Sequence, residues 1–295
     1  FRAKNSAEAY NKVWVEEGSP LIVISKQLQQ AIQKNFDEPV ELAMRYRNPS
    51  STYVLEKLHK ENPELEEIIL MPLYPHYAMS SYETAVEDIR TIHAKKKYTS
   101  SLVTIKPFYN NPLYIHALCE SMKPYLNNAY DKILFSYHGL PERHIKKSDV
   151  THTHCLQVND CCHINSVAHQ FCYRHQTITT TELVLNALKI PSEKAEQTFQ
   201  SRLGRDPWLL PSTQTRLPQL PKEGIKRLLV VCPAFVSDCL ETLEEIAIRA
   251  KESFLEAGGE SFEFIPCMNT QPAWVETVTT WLKNYLAGDK EMIVT

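Results

Sequence analysis

The chain has 295 residues, with 32 lysines and arginines against 35 acidic residues and a net charge of −3. That length suits two lobes at about 100–200 residues per domain, and the balanced charge excludes the basic face that a nucleic-acid binder carries. Seven glycines, with Gly18 alone before Gly139, leave no room for a GxGxxG dinucleotide fingerprint or a GxxxxGK[ST] phosphate loop, and no GxSxG nucleophile elbow can be written. No run approaches the roughly 20 apolar residues that span a bilayer, and no export signal opens the chain. A soluble, cytoplasmic protein is the expectation. Because the chain starts without methionine inside a helical stretch, Ser6 to Trp14, residues upstream of Phe1 are expected as well.

In chain order, short β-branched or apolar runs predict buried strands at Val40–Met44, Glu67–Leu73, Leu102–Lys106, Lys132–Phe135, Gln197–Gln200, Arg227–Val231 and Phe262–Ile265. Amphipathic, helix-length segments lie between most of them, such as Thr84–Ala94, Tyr114–Tyr125, Thr180–Leu188, Leu240–Ala257 and Ala273–Leu286. Alternation of this kind predicts α/β architecture with parallel sheets and crossover helices. Three predicted strands precede Asn127 and four follow it. The expected lobes are therefore residues 1–127 and 128–295, joined near Pro124 to Tyr130. Two stretches look irregular, a proline-rich one from Pro211 to Gly224 and a cysteine- and histidine-rich one from Asn159 to Gln176. The latter belongs to an insertion over 151–176.

Open parallel sheets bind ligands beyond the carboxyl ends of their strands. Those positions hold Arg45 and Tyr46, Tyr74, His76 and Tyr77, His138, Ser201 and Arg202, Asp238 and Glu241, and Asn269. Aromatic rings, a histidine and a carboxylate pair suit a flat, apolar, acid-bearing ligand. His138 ends the run Ile-Leu-Phe-Ser-Tyr and precedes Gly-Leu-Pro, a placement that suits a proton acceptor working near neutrality. A turn histidine bonded to a carbonyl is the competing reading. Asp238, Glu241 and Glu245 recur at spacings of three and four, on one helix face, yet Asp238-x-x-Glu241 also fits a capping box. Trp208 could stack on a planar ligand or cover the core edge. Arg45 could fork onto a ligand carboxylate or bridge to a neighbouring acid.

Four of the eight cysteines fall between Cys155 and Cys172. Cys155, Cys161, Cys162 and Cys172 have the spacing C-x5-C-C-x9-C, and so many thiols without an export signal favour metal ligation over disulfides. Iron–sulfur and zinc both suit four thiolates. Neighbouring His152, His154, His163, His169 and His175 keep zinc open, and the absence of a CxxC pair keeps unliganded thiols open.

Taken together, Gly18-Ser-Pro-Leu, Leu73-Tyr-Pro-His-Tyr, Ser136-Tyr-His-Gly-Leu-Pro, Thr198-Phe-Gln-Ser-Arg, Gly204-Arg-Asp-Pro-Trp-Leu, Pro233-Ala-Phe-Val-Ser-Asp and Leu240-Glu-Thr-Leu-Glu-Glu resemble the ferrochelatase family across nearly the whole chain. The cysteine-bearing insertion resembles that of Bacteroidetes-type members. The resemblance implies two Rossmann-like lobes around a porphyrin cleft, and insertion of ferrous iron into a porphyrin to make haem. It implies that His138 and Glu241 are catalytic, with His138, Glu241 and Glu245 meeting the metal, and that Arg45, Tyr74 and Trp208 line the porphyrin pocket. Porphyrin and Fe²⁺ would be the partners, as substrates, and peripheral membrane contact stays open. Some bacterial members hold a 2Fe–2S cluster on an internal cysteine group, which here would be Cys155, Cys161, Cys162 and Cys172. A chelatase for another metal and tetrapyrrole, or a non-catalytic tetrapyrrole-binding protein, is the alternative.

The sequence also departs from the family pattern. The first strand and its Asn-Leu-Gly-[TS]-Pro turn do not occur in it. His76 stands where glutamine is usual, and Arg47 where Met-Arg-Tyr is usually followed by glycine. Cys239 replaces a histidine of animal members, and Met79 occupies the position of their amino-lobe cluster ligand.

Overall fold

The computed structural model describes residues 2–294, with side chains from Ala7 onward. Its first half runs α1 (Arg2–Val13), α2 (Pro20–Gln33), α3 (Ser51–Glu61), β1 (Glu67–Leu70), a π-turn segment Met79–Glu83, α4 (Thr84–Lys96), β2 (Ser101–Thr104) and α5 (Pro112–Leu126). The second half contains β3 (Lys132–His138), α6 (Glu142–Ser148), α7 (Tyr173–Leu188), β4 (Ala195–Gln200), α8 (Thr213–Arg216) and β5 (Arg227–Val231). It continues through α9 (Leu240–Thr242), a π-helical segment Leu243–Ala250, α10 (Lys251–Glu256), β6 (Ser261–Phe264) and α11 (Pro272–Leu286). The helix starts follow the local chemistry. Ser50 Oγ accepts from Tyr53 N to cap α3, and Asn111 Oδ1 accepts from Leu113 N ahead of Pro112 to cap α5.

Two parallel sheets result, β1–β2 and β4–β3–β5–β6. The four-stranded sheet has apolar central strands, with Ile133, Leu134, Phe135, Val230 and Val231 buried, as strands covered on both faces require. α11 packs back onto α2 and α5, and Tyr114 of α5 donates to Pro233 O at 2.7 Å. One continuous apolar core therefore includes Leu28, Met122, Phe135, Trp274 and Trp281 from both halves.

Six of the seven expected strands form, with ends shifted by a few residues. Val40–Met44 does not. Val40 is instead tied to α2, its carbonyl accepting from Gln29 Nε2 at 2.5 Å and its N–H donating to Gln33 Oε1 at 2.7 Å, and only Met44 makes a bridge, to Ser50. Side-chain partners thus replace a strand neighbour, which satisfies the backbone equally well. The stretch expected to be irregular through Gln176 is shorter, because α7 begins at Tyr173.

Candidate functional site

A cleft of about 840 Å³ runs along β1 and on past the carboxyl ends of β1 and β3, lined by residues of both halves. Arg45, Tyr74, His76, His138, Tyr173, Phe235, Cys239 and Glu241 all contribute to its wall. That volume lies within the roughly 300–1,000 Å³ of small-molecule sites.

His138 is the last residue of β3. Its Nδ1 lies 2.7 Å from Gly139 O. A carbonyl only accepts, so Nδ1 carries the proton and Nε2 keeps its lone pair. The turn behind it is tight. Gly139 N donates to Gln200 O at 2.7 Å, and a Cβ at this position would sit 2.7 Å from the same oxygen and 3.2 Å from the Trp208 ring. Only glycine fits there.

Glu241 lies in the first turn of α9. The Asp238–Glu241 capping box is not formed. Cys239 is the cap residue, with its N–H donating to Thr242 Oγ1 at 3.0 Å. Asp238, buried, is occupied by Thr242 Oγ1 (2.9 Å), Asn269 Nδ2 (2.7 Å) and Cys267 N (3.3 Å). Glu241 is therefore free of capping duty and faces the cleft. Burial and the nearby Glu241 carboxylate together push the Cys239 thiol well up, so it remains a neutral donor beside that carboxylate.

The structure does not bring Glu245 into the cleft wall. It is buried, and its two oxygens accept from Ser201 N (2.8 Å), Ser201 Oγ (2.6 Å) and Gln214 Nε2 (3.2 Å). Ser201 has φ +65, a left-handed conformation that costs a non-glycine residue about 1–3 kcal/mol, and the double contact with Glu245 holds it there. Trp208 is also outside the wall. It is buried behind the His138 turn, bridged to Pro141 and packed on Gly139.

Arg45 lines the cleft while donating to Thr84 O at 3.1 Å and pairing with Asp88 at 3.4 Å. Burial raises the Tyr74 phenol. The departure at Arg47 shows in its backbone, since φ is +72, where glycine is unstrained. The departure at His76 puts an imidazole at 2% exposure, with Nε2 2.9 Å from Thr180 Oγ1 and Nδ1 unpartnered among the described residues. Burial drives its pKa down to about 3, so it stays neutral. Tyr77 and Asn269 are occupied structurally, by Glu83 and Asp238, and Arg202 is exposed. Two cleft residues escaped the reading of single positions. Phe235, with its ring 6.2 Å from His138, lies inside the Pro233-Ala-Phe motif, and Tyr173 lies in the stretch taken as irregular.

The family model named Ferrochelatase matches residues 1–286. This chain belongs to the ferrochelatase family. Curated ferrochelatases similar to it include that of Opitutus terrae, 45% identical over 96% of this chain and 83% of the relative, and that of Pseudomonas entomophila, 45% identical over 96% and 84%. Another, from Pseudomonas savastanoi pv. phaseolicola, is 46% identical over 93% of this chain and 81% of its own length. Among solved structures, SirB from Bacillus subtilis with Fe³⁺ matches 92% of each chain at TM-score 0.60 and 14% identity, a likeness of chelatase fold alone.

A second cluster lies next to α7 in this ferrochelatase-family chain. Cys155, Cys161, Cys162 and Cys172 are all buried, and they neighbour one another in the order Cys155, Cys172, Cys162, Cys161. Contact with Cys155 and burial push Cys172 up to about 12. Arg174 Nη1 lies 3.4 Å from Cys162 Sγ, and Leu156 N donates to Cys161 Sγ at 3.4 Å. The histidines do not turn their bonded nitrogens on sulfur. His154 and His169 donate to Cys161 O at 2.7 and 2.9 Å, His175 donates to Cys162 O at 2.7 Å, and His163 lies between Asp160 and Glu182. Among the described residues, no group of three or more His, Cys, Asp or Glu is placed to hold a metal ion. Four cysteines have the ligand number and softness of either an iron–sulfur cluster or a zinc site.

Proposed function

We propose that this cleft inserts ferrous iron into protoporphyrin IX to yield haem, with His138 accepting the pyrrole protons and Glu241 meeting the metal. The observation that carries the reading is that both groups line one apolar cleft while neither is spent on structure. Nε2 of His138 keeps its lone pair, and the helix cap is made by Cys239 and Thr242.

The overall reaction replaces two ring N–H protons with one Fe²⁺, so charge balances and nothing is oxidised or reduced. A planar macrocycle points its nitrogen lone pairs inward, and a wall that grips it bent exposes them at the expense of remote binding energy. Arg45, Tyr74 and Phe235 supply that wall. His138 Nε2 takes a proton on one face, and the Glu241 carboxylate offsets the charge of the arriving cation. Glu245 acts at one remove by fixing Ser201, and Trp208 by backing Gly139. Oxygen and nitrogen donors bind Fe²⁺ only moderately, which lets the metal pass on to the ring.

The test is an anaerobic assay with Fe²⁺ and either protoporphyrin or coproporphyrin. Haem absorbance and loss of porphyrin fluorescence with protoporphyrin are expected. Turnover confined to coproporphyrin would change the substrate, and binding without turnover would favour the non-catalytic alternative.

The four-cysteine group is best explained as the holder of a 2Fe–2S cluster. When bound, such a cluster supplies one-electron redox capacity and a rigid crosslink. Four buried sulfurs, with Arg174 and Leu156 N donating to them, support it, since such donors stabilise thiolates once binding has expelled their protons. For cellular placement, no described helix is long and apolar enough to cross a membrane. Exposed Tyr10, Trp14, Tyr46 and Tyr53 support peripheral contact of a cytoplasmic chain with a lipid interface.

A further inference from the structure

The turn at His138 and Gly139 is held by three bonds, two of them on the peptide that joins the residues and one on the carbonyl that follows. Gly139 N donates to Gln200 O at 2.7 Å, Gly139 O accepts from the His138 ring at 2.7 Å, and His138 O accepts from the phenol of Tyr173 at 2.9 Å. Two of these bonds are local to the strand pair and the turn. The third comes from the first residue of α7, 35 positions along the chain. Tyr173 is 5% exposed, and its ring packs edge-on against His76 with centroids 5.8 Å apart at 74°. The cleft needs apolar surface at this point, which phenylalanine would give equally well. The hydroxyl has a single described partner, and that partner is the carbonyl of the residue that accepts the protons.

We infer that Tyr173 is a positioning residue for the insertion reaction, and that its hydroxyl locks the His138–Gly139 peptide so that the imidazole keeps its proton on Nδ1 and its lone pair on Nε2. The inference rests on His138 being the acceptor in the cleft. If the Tyr173 bond is removed, the peptide keeps its Gly139 N–H anchor alone and can tilt about it, carrying the Gly139 carbonyl with it. The Nδ1 contact to Gly139 O then lengthens, and the ring gains access to the tautomer with its proton on Nε2. That tautomer cannot accept a proton from the porphyrin, so the fraction of competent enzyme falls while the cleft keeps its shape. The same logic makes the orienting partner of a catalytic histidine important without touching substrate.

The experiment is Tyr173→Phe in the full chain, which keeps the ring and deletes only the hydroxyl. Ring nitrogen chemical shifts of His138, assigned by comparison with His138→Ala, should show the Nδ1-protonated form falling relative to the unmodified protein. Turnover number should drop about tenfold, a part of the 10²–10⁴ that a positioned proton acceptor contributes, with KM for protoporphyrin unchanged. Unchanged tautomer populations would overturn the inference, whether or not the melting temperature falls, because a merely structural phenol shifts stability alone. A shifted tautomer in a protein whose unmodified form inserts no metal would leave the positioning role standing and remove the functional reading instead.

Discussion

The cleft presents half-buried polar groups and the cysteine-rich insertion buried ones, and the two regions treat those groups in opposite ways. In the cleft, His138 and Glu241 sit at a strand end and a helix start, and their neighbours hold them without consuming them. In the insertion, Arg174 and a backbone N–H point at sulfur, and three histidines bind carbonyls. The first arrangement leaves capacity for a transient ligand. The second is saturated and suits a group that stays. Reactivity here depends less on which residue types are gathered than on how much of their bonding capacity the fold leaves open.

The most severe way to break the comparison is His138→Ala. Metal insertion should fall by at least about 10²-fold, while the iron content of the insertion and protoporphyrin affinity stay at their unmodified values; comparable turnover would remove His138 from the reaction. Exchanging the two glutamates sharpens the contrast inside one helix. Glu241→Gln should lower turnover about tenfold or more with little change in the urea midpoint. Glu245→Gln should instead cost about 1–3 kcal/mol of stability, because Ser201 loses a charged partner.

Replacing Cys161 or Cys172 with serine tests the saturated region. Anaerobically purified protein should be brown with about two irons and two sulfides per chain, and either substitution should bleach it while leaving porphyrin binding in place. A colourless protein with stoichiometric zinc would put zinc in place of the cluster.

At neutral pH the smallest expected effect comes from His76, whose contribution shows only in acid. Its folded pKa, about 3, lies below the usual histidine value of 6.5. The unfolded chain therefore binds the extra proton first. Stability is full above about 6.5 and declines as pH falls toward about 3, with a limiting slope near 1.4 kcal/mol per pH unit. His76→Gln should flatten urea unfolding midpoints across that window; a parallel decline in both proteins would show that other groups set it.

Much of this was legible in the chain. The run Ile133 to Tyr137 reads as a buried strand because it is apolar but for Ser136, and that placed His138 at a sheet end. The helix from Leu240 was visible from its apolar spacing. Its inner geometry was not, since a helical pattern of 3.6 residues per turn does not announce a wider turn. Spacing set Asp238, Glu241 and Glu245 on one face, whereas Asp238 precedes the helix and Glu245 turns toward Ser201. Val40–Met44 has strand composition but pairs with side chains, because composition says nothing about what lies alongside. The start of α7 was hidden by polar and cysteine residues that resemble a loop, and Tyr173 was hidden with it.

The wide turns at Leu243–Ala250 bear on how this helix can change over evolutionary time. A wide turn holds one residue more than an α-turn, and in ordinary winding that extra residue would rotate everything downstream by about 100° relative to Glu241. The wide winding absorbs it, so Ile246, Ala250 and Phe254 stay in the core beneath β5 while Glu241 keeps its place at the cleft. Loss of one residue between Thr242 and Ala250 in a relative would be taken up as ordinary α-winding, with the cleft carboxylate and the core face both kept.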